Sequence, residues 1–339
     1  MRQLCFPRSF SLRQLLAAGW LLLVVGAATW APSAALAPDL AHISQPPGGT
    51  EHWLGTDPQG LDVWGALLQG ARTLVLVSVP ASLLTLLLGT ILGSAAGFLR
   101  NSGWQVSWRS LSTLLLTALA ALVLGPRLVP ASAWLPGVAA GSWILLGRLR
   151  LGRRRVAVPL DALVLGLMSL LESVPLLILV LAAAAVQRPS LGGLVVLLSL
   201  TCWTTPARLM RAATLQVSAQ PYLEAARAAG IPTGRLLVRH IWPNTRHVLL
   251  VRFPLTIALL IGLETTLSFL GVGLPPEVSS WGQLLAAVRF APTAWWLVLW
   301  PGIMLVSTIL SLHIMAQNQA NDVTPTAGIL SKINETIID

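Results

Sequence analysis

The sequence predicts an all-α, polytopic membrane helix bundle of about eight spans, and three observations carry that expectation. First, 55% of the 339 residues are hydrophobic and 10% are charged, with a mean hydropathy of +0.75. A soluble domain carries about 25% charged residues. Second, eight apolar stretches approach the roughly 20 residues that a helix needs to cross a bilayer. They are 14–36, 73–98, 110–128, 132–148, 159–186, 191–210, 247–271 and 294–316. Third, of the 22 Lys and Arg residues, only Arg72, Arg127, Arg188 and Arg289 fall on one side of this arrangement. The excess on the other side makes that side cytoplasmic, together with both termini. The net charge of +10 is therefore read mainly as a topology signal. Nucleic acid is not expected as a partner.

Taken in chain order, Arg2, Arg8 and Arg13 precede the first apolar run, which ends in "SAALA". That ending resembles a signal-peptidase site, but the run is longer than a usual signal core, so a retained anchor is expected. Residues 38–72 form the longest exterior segment. Within "GTDPQGLDVWGALLQGAR" (55–72), Asp57 is expected to cap a helix, Pro58 to take its first position and Asp62 to sit in its first turn. That helix leads along the interface into the second span. His42, Glu51 and His52 can be drawn together as a metal site, but loop histidines are the simpler reading and no metal is assigned. Cys5 and Cys202 are expected at different depths, without a disulfide or metal cluster.

The third and fourth stretches are short, and "PRLVPASAWLPG" (126–137) between them is rich in helix-breaking proline, so they read as one hairpin. Asp161, Glu172 and Glu264 lie in or beside spans. An ionised group at mid-bilayer costs roughly 2.5–3.5 kcal/mol, so each is expected to face protein or water. For Glu172, just before Pro175, one reading is a polar group lining a translocation path. The other is a helix-packing contact. Among the 14 tryptophans, Trp30, Trp134, Trp242, Trp281, Trp295, Trp296 and Trp300 fall near span ends, where an amphipathic ring favours the interface.

Residues 221–244 break the apolar pattern. Pro221 is suited to start a short helix, "PYLEAARAA", which Gly230 can end in a left-handed conformation. Glu224 and Arg227 are spaced to pair on one face. Four alanines keep that helix's surface low. Thr233 is expected to cap a second helix that stops near Pro243. Helices this short are marginal alone in water, so either the bundle or a partner must hold them.

Reaction chemistry is sparse. There is no G-x-x-x-x-G-K-[ST] loop, and the sole lysine, Lys332, lies in "GILSKI". H-E-x-x-H and G-x-S-x-G are missing too, as is a strand-borne G-x-G-x-x-G. No catalytic residue and no cofactor is assigned, and the chain is read as a non-enzyme.

The stretch "EAARAAG…H…PN" resembles the cytoplasmic EAA loop of bacterial ABC-importer permeases, with Glu224, Ala225, Ala226, Gly230, His240, Pro243 and Asn244 at matching spacing. "HWLGTDPQGLD" (52–62) is similar to the exterior G-T-D-x-x-G-R-D signature of the dipeptide/oligopeptide/nickel branch, through Gly55, Thr56, Asp57, Gly60 and Asp62. "WTTPARLMR" (203–211) resembles its W-x-x-x-A-R-x-x-R stretch, and "LSFLGVGLPPEVSSWGQLL" (267–285) with Pro301-Gly302 matches as well. The resemblance implies a type I importer permease fold with six core spans. It implies a docking helix for an ATP-hydrolysing subunit, a second permease (a heterodimer in most cases), two ATP-binding subunits and an exterior solute-binding protein. The location would be the bacterial inner membrane. The cargo would be di- or oligopeptides, with nickel or a metal chelate as the alternative.

Three departures stand out: Leu61 where the signature has arginine, an insertion over 100–155, and a C-terminus without the G-D-x-L-R-D ending. The resulting divisions are 1–50 (tail, anchor and start of the exterior segment), 51–99 (exterior motif and second span) and 100–155 (inserted hairpin and basic loop). Residues 156–318 form the core, with the loop 221–244, and 319–339 form a tail. An ATP-independent secondary transporter and a membrane scaffold or export component remain as competing classes.

Overall fold

The helix Val63–Leu99 (α2) is the axis of the bundle. At about 1.5 Å per residue its 37 residues span roughly 55 Å. The computed structural model describes residues 12–31, 37–49, 52–100, 105–107, 155–157, 159–186, 190–275 and 278–323. Before α2 comes α1 (Leu12–Trp30). After it come α3 (Leu160–Glu172), α4 (Leu176–Val186), α5 (Leu191–Cys202) and α6 (Thr204–Ser218). Then follow α7 (Pro221–Ala228), α8 (Thr233–Leu236), a π-helical turn Leu237–Ile241 and α9 (Trp242–Phe269). The chain closes with α10 (Trp281–Ala286), a 3₁₀ turn Ala287–Arg289 and α11 (Trp296–Val323).

Four of these helical segments are long and apolar enough to cross a membrane, and two bent pairs bring the total to six if each pair is one span. The chain is thus a polytopic helix bundle. The stretch expected as one span over 159–186 is bent by 82° between α3 and α4. Pro175 lies in the break, and a proline removes a helical donor and disfavours helix in the residue before it. The stretch over 191–210 bends by 44° between α5 and α6. The third and fourth expected spans lie outside the described residues, as do Cys5, Glu51, Trp134 and the tail beyond 323. The insertion is bounded by a small exception to the all-α expectation. Gln105–Ser107 (β1) pairs antiparallel with Arg155–Ala157 (β2), with Val106 opposite Val156. The chain therefore leaves and returns at one place.

Small residues set the central packing. α2 runs against α6 with Gly89, Gly93 and Gly97 stacked at four-residue spacing. A Cβ on Gly93 would sit 2.2 Å from the Ala207 carbonyl oxygen, and one on Gly89 2.7 Å from Pro206 Cβ. Lipid supplies little hydrophobic drive between apolar helices, so close backbone approach and buried hydroxyls take over. Ser199 Oγ accordingly donates to the Ala81 carbonyl of α2 (3.2 Å), while Thr90 and Ser94 hydroxyls donate back along α2 to Leu86 and Thr90 carbonyls.

The periphery has the opposite character. Leu12, Leu15, Leu16, Leu22 and Leu23 of α1 are exposed, which suits a surface facing lipid tails.

The tryptophans divide in a way their positions near span ends do not reveal. Trp30 and Trp295 are exposed, as interface rings would be. Trp281 and Trp296 are instead buried. Their indole N–H groups donate inward, to the Leu67 carbonyl (2.9 Å) and the Thr56 carbonyl (3.1 Å). A buried indole N–H needs an acceptor, and here two backbone carbonyls supply it.

Candidate functional site

The two ends of α2 carry the two sequence motifs. At its C-terminal end, α7 lies against α6. Leu223 of α7 is fully buried with Leu236 and Ile241, and Phe98, Val217 and Ile231 close over them. This small core answers how so short a helix is held: Leu223 pins it to the bundle, with Ala226 packed beside it. Pro221 opens the helix at its first position, as expected.

Gly230 closes α7 at φ +78°. Its N–H donates to the Arg227 carbonyl (2.9 Å), and the Ile231 N–H donates to the Ala226 carbonyl (3.2 Å). Those two bonds form a Schellman cap, in which the left-handed residue is normally glycine because a Cβ is strained there. Glu224, Ala225, Arg227, Ala228 and Ala229 are exposed, and Ala225, Ala228 and Ala229 lie on the side away from Leu223. The expected Glu224–Arg227 pair is not among the ion pairs of the described residues. The Arg227 guanidinium lies instead over the Phe98 ring, 4.8 Å from its centroid, where a cation gains from the ring quadrupole. Glu224 and Arg227 border a polar cleft of about 610 Å³ that runs to Arg100 and Ser218.

The second helix departs from expectation. Pro232, not Thr233, is its N-cap, and no side chain caps it. It does not stop near Pro243. It passes through the π turn, closed by the Trp242 N–H on the Leu237 carbonyl, and continues as α9. Pro243 stands in the first turn after that wide coil. A π turn displaces the carbonyl that proline could not serve and would otherwise strike. Asn244 Nδ2 donates to the His240 carbonyl (2.6 Å) and to the Tyr222 hydroxyl (3.1 Å). The Tyr222 and His240 rings lie 6.3 Å apart. Trp242 Nε1 donates to Ser94 Oγ of α2 (3.2 Å). So His240 and Asn244 brace α7 from the far side of the loop, and Trp242 ties the unit to the axial helix.

Polar ties extend up from this end. Arg211 on α6 grips Asp161 on α3 through Nε (2.6 Å) and Nη2 (2.8 Å). Arg208, three residues earlier, pairs with Glu172. The structure thus gives Glu172 a partner, in keeping with the packing reading. The most deeply buried carboxylate of the three flagged ones is Glu264, which accepts from Ser268 Oγ (2.8 Å). In "WTTPARLMR", Trp203 and Ala207 are buried, with Ala207 beneath Gly93. The two arginines hold the carboxylates of α3.

At the N-terminal end of α2, the residues Gly55, Thr56, Asp57, Gly60 and Asp62 come together in one folded segment. Thr56 is fully buried. Its hydroxyl accepts from the Gln45 N–H (2.9 Å) and donates to the His42 carbonyl. Asp57 corrects the sequence reading: it caps no helix, and Pro58 is not a helical residue. Asp57 Oδ1 accepts from the Gln59 and Leu61 amides (2.9 and 2.8 Å) inside the turn. Burial raises the Asp57 pKa, partly offset by those amides. Gly55 and Gly60 hold φ of +86° and +80° around it. The helix cap is Asp62, whose Oδ2 accepts from the Gly65 N–H (2.8 Å). There is no separate interfacial helix, because α2 begins at Val63 and runs unbroken to Leu99.

Replacing Thr56 by valine removes both hydroxyl bonds and leaves a half-buried amide and carbonyl without them. The expected cost is about 1–3 kcal/mol, read as faster amide exchange and proteolysis over 37–62 with the helices unchanged. Unaltered protection there would contradict the role given to the hydroxyl.

Beside the motif, Asp39, His42, His52 and Asp62 form a chain of contacts. His42 Nδ1 lies 2.7 Å from Asp39 Oδ2, and His52 lies 3.4 Å from the same oxygen through Nε2. His52 Nδ1 meets Asp62 Oδ1 at 3.1 Å. The His42 hydrogen bond, helped by the Ala41 amide, holds the Asp39 pKa at about 2. The bond to Asp62 raises that of His52. The sequence sets the two histidines beside Glu51, which lies outside the described residues; Asp39 joins them only through the fold of the loop.

Comparison with known proteins places these features in a family. The family described as binding-protein-dependent transport system inner membrane component matches residues 144–324, more than half of the chain. A Brucella suis protein provisionally named a peptide transport system permease is 29% identical over 329 residues, covering 96% of this chain and 90% of its own. The oligopeptide transport system permease protein OppC of Bacillus subtilis is 26% identical over 85% of this chain and 75% of its own. The dipeptide transport system permease protein DppC of the same organism is 25% identical over 82% and 70%.

Proposed function

Because the chain belongs to the family of binding-protein-dependent transport system inner membrane components, we propose that it is the permease subunit of an ATP-driven importer whose cargo is di- or oligopeptides. The observation that carries the reading is α7 itself. A helix pinned by one buried leucine and closed by a left-handed glycine turns a low, alanine-rich face outward. Such an element can take a push from a separate protein and pass it to α2, α6 and α9 without chemistry. Glu224, Ala225, Ala226 and Gly230 form the docking element, and His240, Pro243 and Asn244 form its brace. The partners are two ATP-binding subunits on that face, a second permease that completes the translocation path, and a solute-binding protein above the segment 37–62. This orientation puts both termini in the cytoplasm of a bacterial inner membrane, which the arginine distribution supports.

Peptide cargo rests on the names of the similar permeases, OppC and DppC among them. Reconstitution in liposomes with the second permease, the ATP-binding subunits and the binding protein tests the reading. Labelled peptide should accumulate only with ATP and binding protein. Accumulation driven by an ion gradient without ATP-binding subunits would overturn the importer reading. ATP-driven uptake of nickel but not of peptide would overturn the cargo alone.

A further inference from the structure

We propose that Asp39, His42 and His52 form a zinc site in the segment preceding α2, with Asp62 orienting His52 as its outer-shell partner. One ligand atom from each of the three residues lies within 4.8 Å of the others. Asp39 Oδ2, His42 Nδ1 and His52 Nε2 are the convergent atoms, at 2.7 Å and 3.4 Å from the shared carboxylate oxygen. Tetrahedral zinc with bonds of about 2.0–2.1 Å separates neighbouring ligand atoms by about 3.3 Å. The His52 contact already has that spacing. The His42 contact needs to open by roughly 0.6 Å on that geometry, which a side chain 43% exposed on a loop can do.

The outer contact points to a metal more than a bare cluster would. A ligating histidine characteristically gives its second ring N–H to a carboxylate, which fixes the tautomer that leaves the other nitrogen free for the ion. His52 has this arrangement: Nδ1 on Asp62 Oδ1 (3.1 Å), Nε2 turned to Asp39. Asp62 is itself held by the Gly65 amide through its other oxygen. No arginine or lysine among the described residues forms an ion pair with Asp39 or Asp62. Two imidazoles and one carboxylate suit zinc and similar divalent transition ions over magnesium or calcium. The fourth position stays open to water or to a partner's side chain. Bound zinc would clasp Asp39 and His42 onto the cap of α2 through His52, a role separate from docking at α7.

The test uses the full chain in detergent, purified without a histidine tag and stripped with a chelator. The proposal expects one zinc per chain by titration and metal analysis, and a visible absorption band of tetrahedral type with Co²⁺. His42→Ala, at an exposed position, should lose most of the affinity. Asp62→Asn keeps an oxygen for the Gly65 amide, and it should weaken zinc about 10–100-fold. Magnesium at equal concentration should not compete. Absence of zinc binding by the folded wild-type chain, or undiminished binding by the His42→Ala/His52→Ala double variant, would overturn the site. Undiminished affinity in Asp62→Asn would overturn the part given to Asp62.

Discussion

Gly230→Pro is expected to abolish ATP-dependent uptake while the chain still inserts. Proline fixes φ near −65°, and this position sits at +78°. The substitution also deletes the N–H that donates to the Arg227 carbonyl. With about 3 kcal/mol or more against the cap, the end of α7 and the Ile231 turn cannot keep their places. Leu223 would still bury, so the bundle should stand, but the outward face would be presented wrongly. Gly230→Ala is the graded companion. It strains one left-handed residue by about 1–2 kcal/mol and should leave partial transport. Flux and permease-stimulated ATP hydrolysis, normalised to inserted protein, are the readouts. Full transport by Gly230→Pro would remove the mechanical role of this loop.

Gly93→Leu is expected to destroy the fold itself. Even the first carbon of a side chain there meets the Ala207 carbonyl at 2.2 Å. That obstacle is backbone, and no rotamer change moves it. Gly93→Ala should cost about 1–3 kcal/mol as an overpacked contact and lower the melting temperature by several degrees. Leucine must drive α2 and α6 apart, and should give aggregated or degraded protein in size-exclusion profiles. Gly166→Leu, where a Cβ would meet nothing within 4 Å, is the matched control on α3. Equal behaviour of the two leucine variants would contradict the close crossing.

The short helix after Pro221 and its end at Gly230 were legible because both signals are local: one fixes φ, the other frees it. The glycines at 89, 93 and 97 were equally present in the sequence, but hydropathy counting passes over spacing inside an apolar run, so the crossing they build was missed. Asp57-Pro58 looks locally like a helix start. It loses to Asp62 because amides of its own turn occupy Asp57, and the histidine beside Asp62 comes from ten residues away. The run through Pro243 was hidden for a related reason. A proline alone reads as a stop, and the π turn that accommodates it is a property of the coil. Trp281 and Trp296 read as interface rings from their places near span ends, yet their burial and inward hydrogen bonds depend on which helices meet. Membership of the permease family was legible from the motifs. The Asp39–His42–His52 cluster was half legible: the sequence sets the two histidines beside Glu51 and assigns no metal, and Asp39 joins them only through folding.

The exposed face of α7 is expected to meet an ATP-binding subunit. The direct measurement places a single cysteine at exposed Ala228, with Cys5 and Cys202 replaced by serine, in the assembled transporter. A short thiol crosslinker should join that position to the ATP-binding subunit, and a membrane-impermeant thiol reagent should fail to reach it in intact cells. Labelling from outside, or crosslinks that never include the ATP-binding subunit in a complex that transports, would contradict the account.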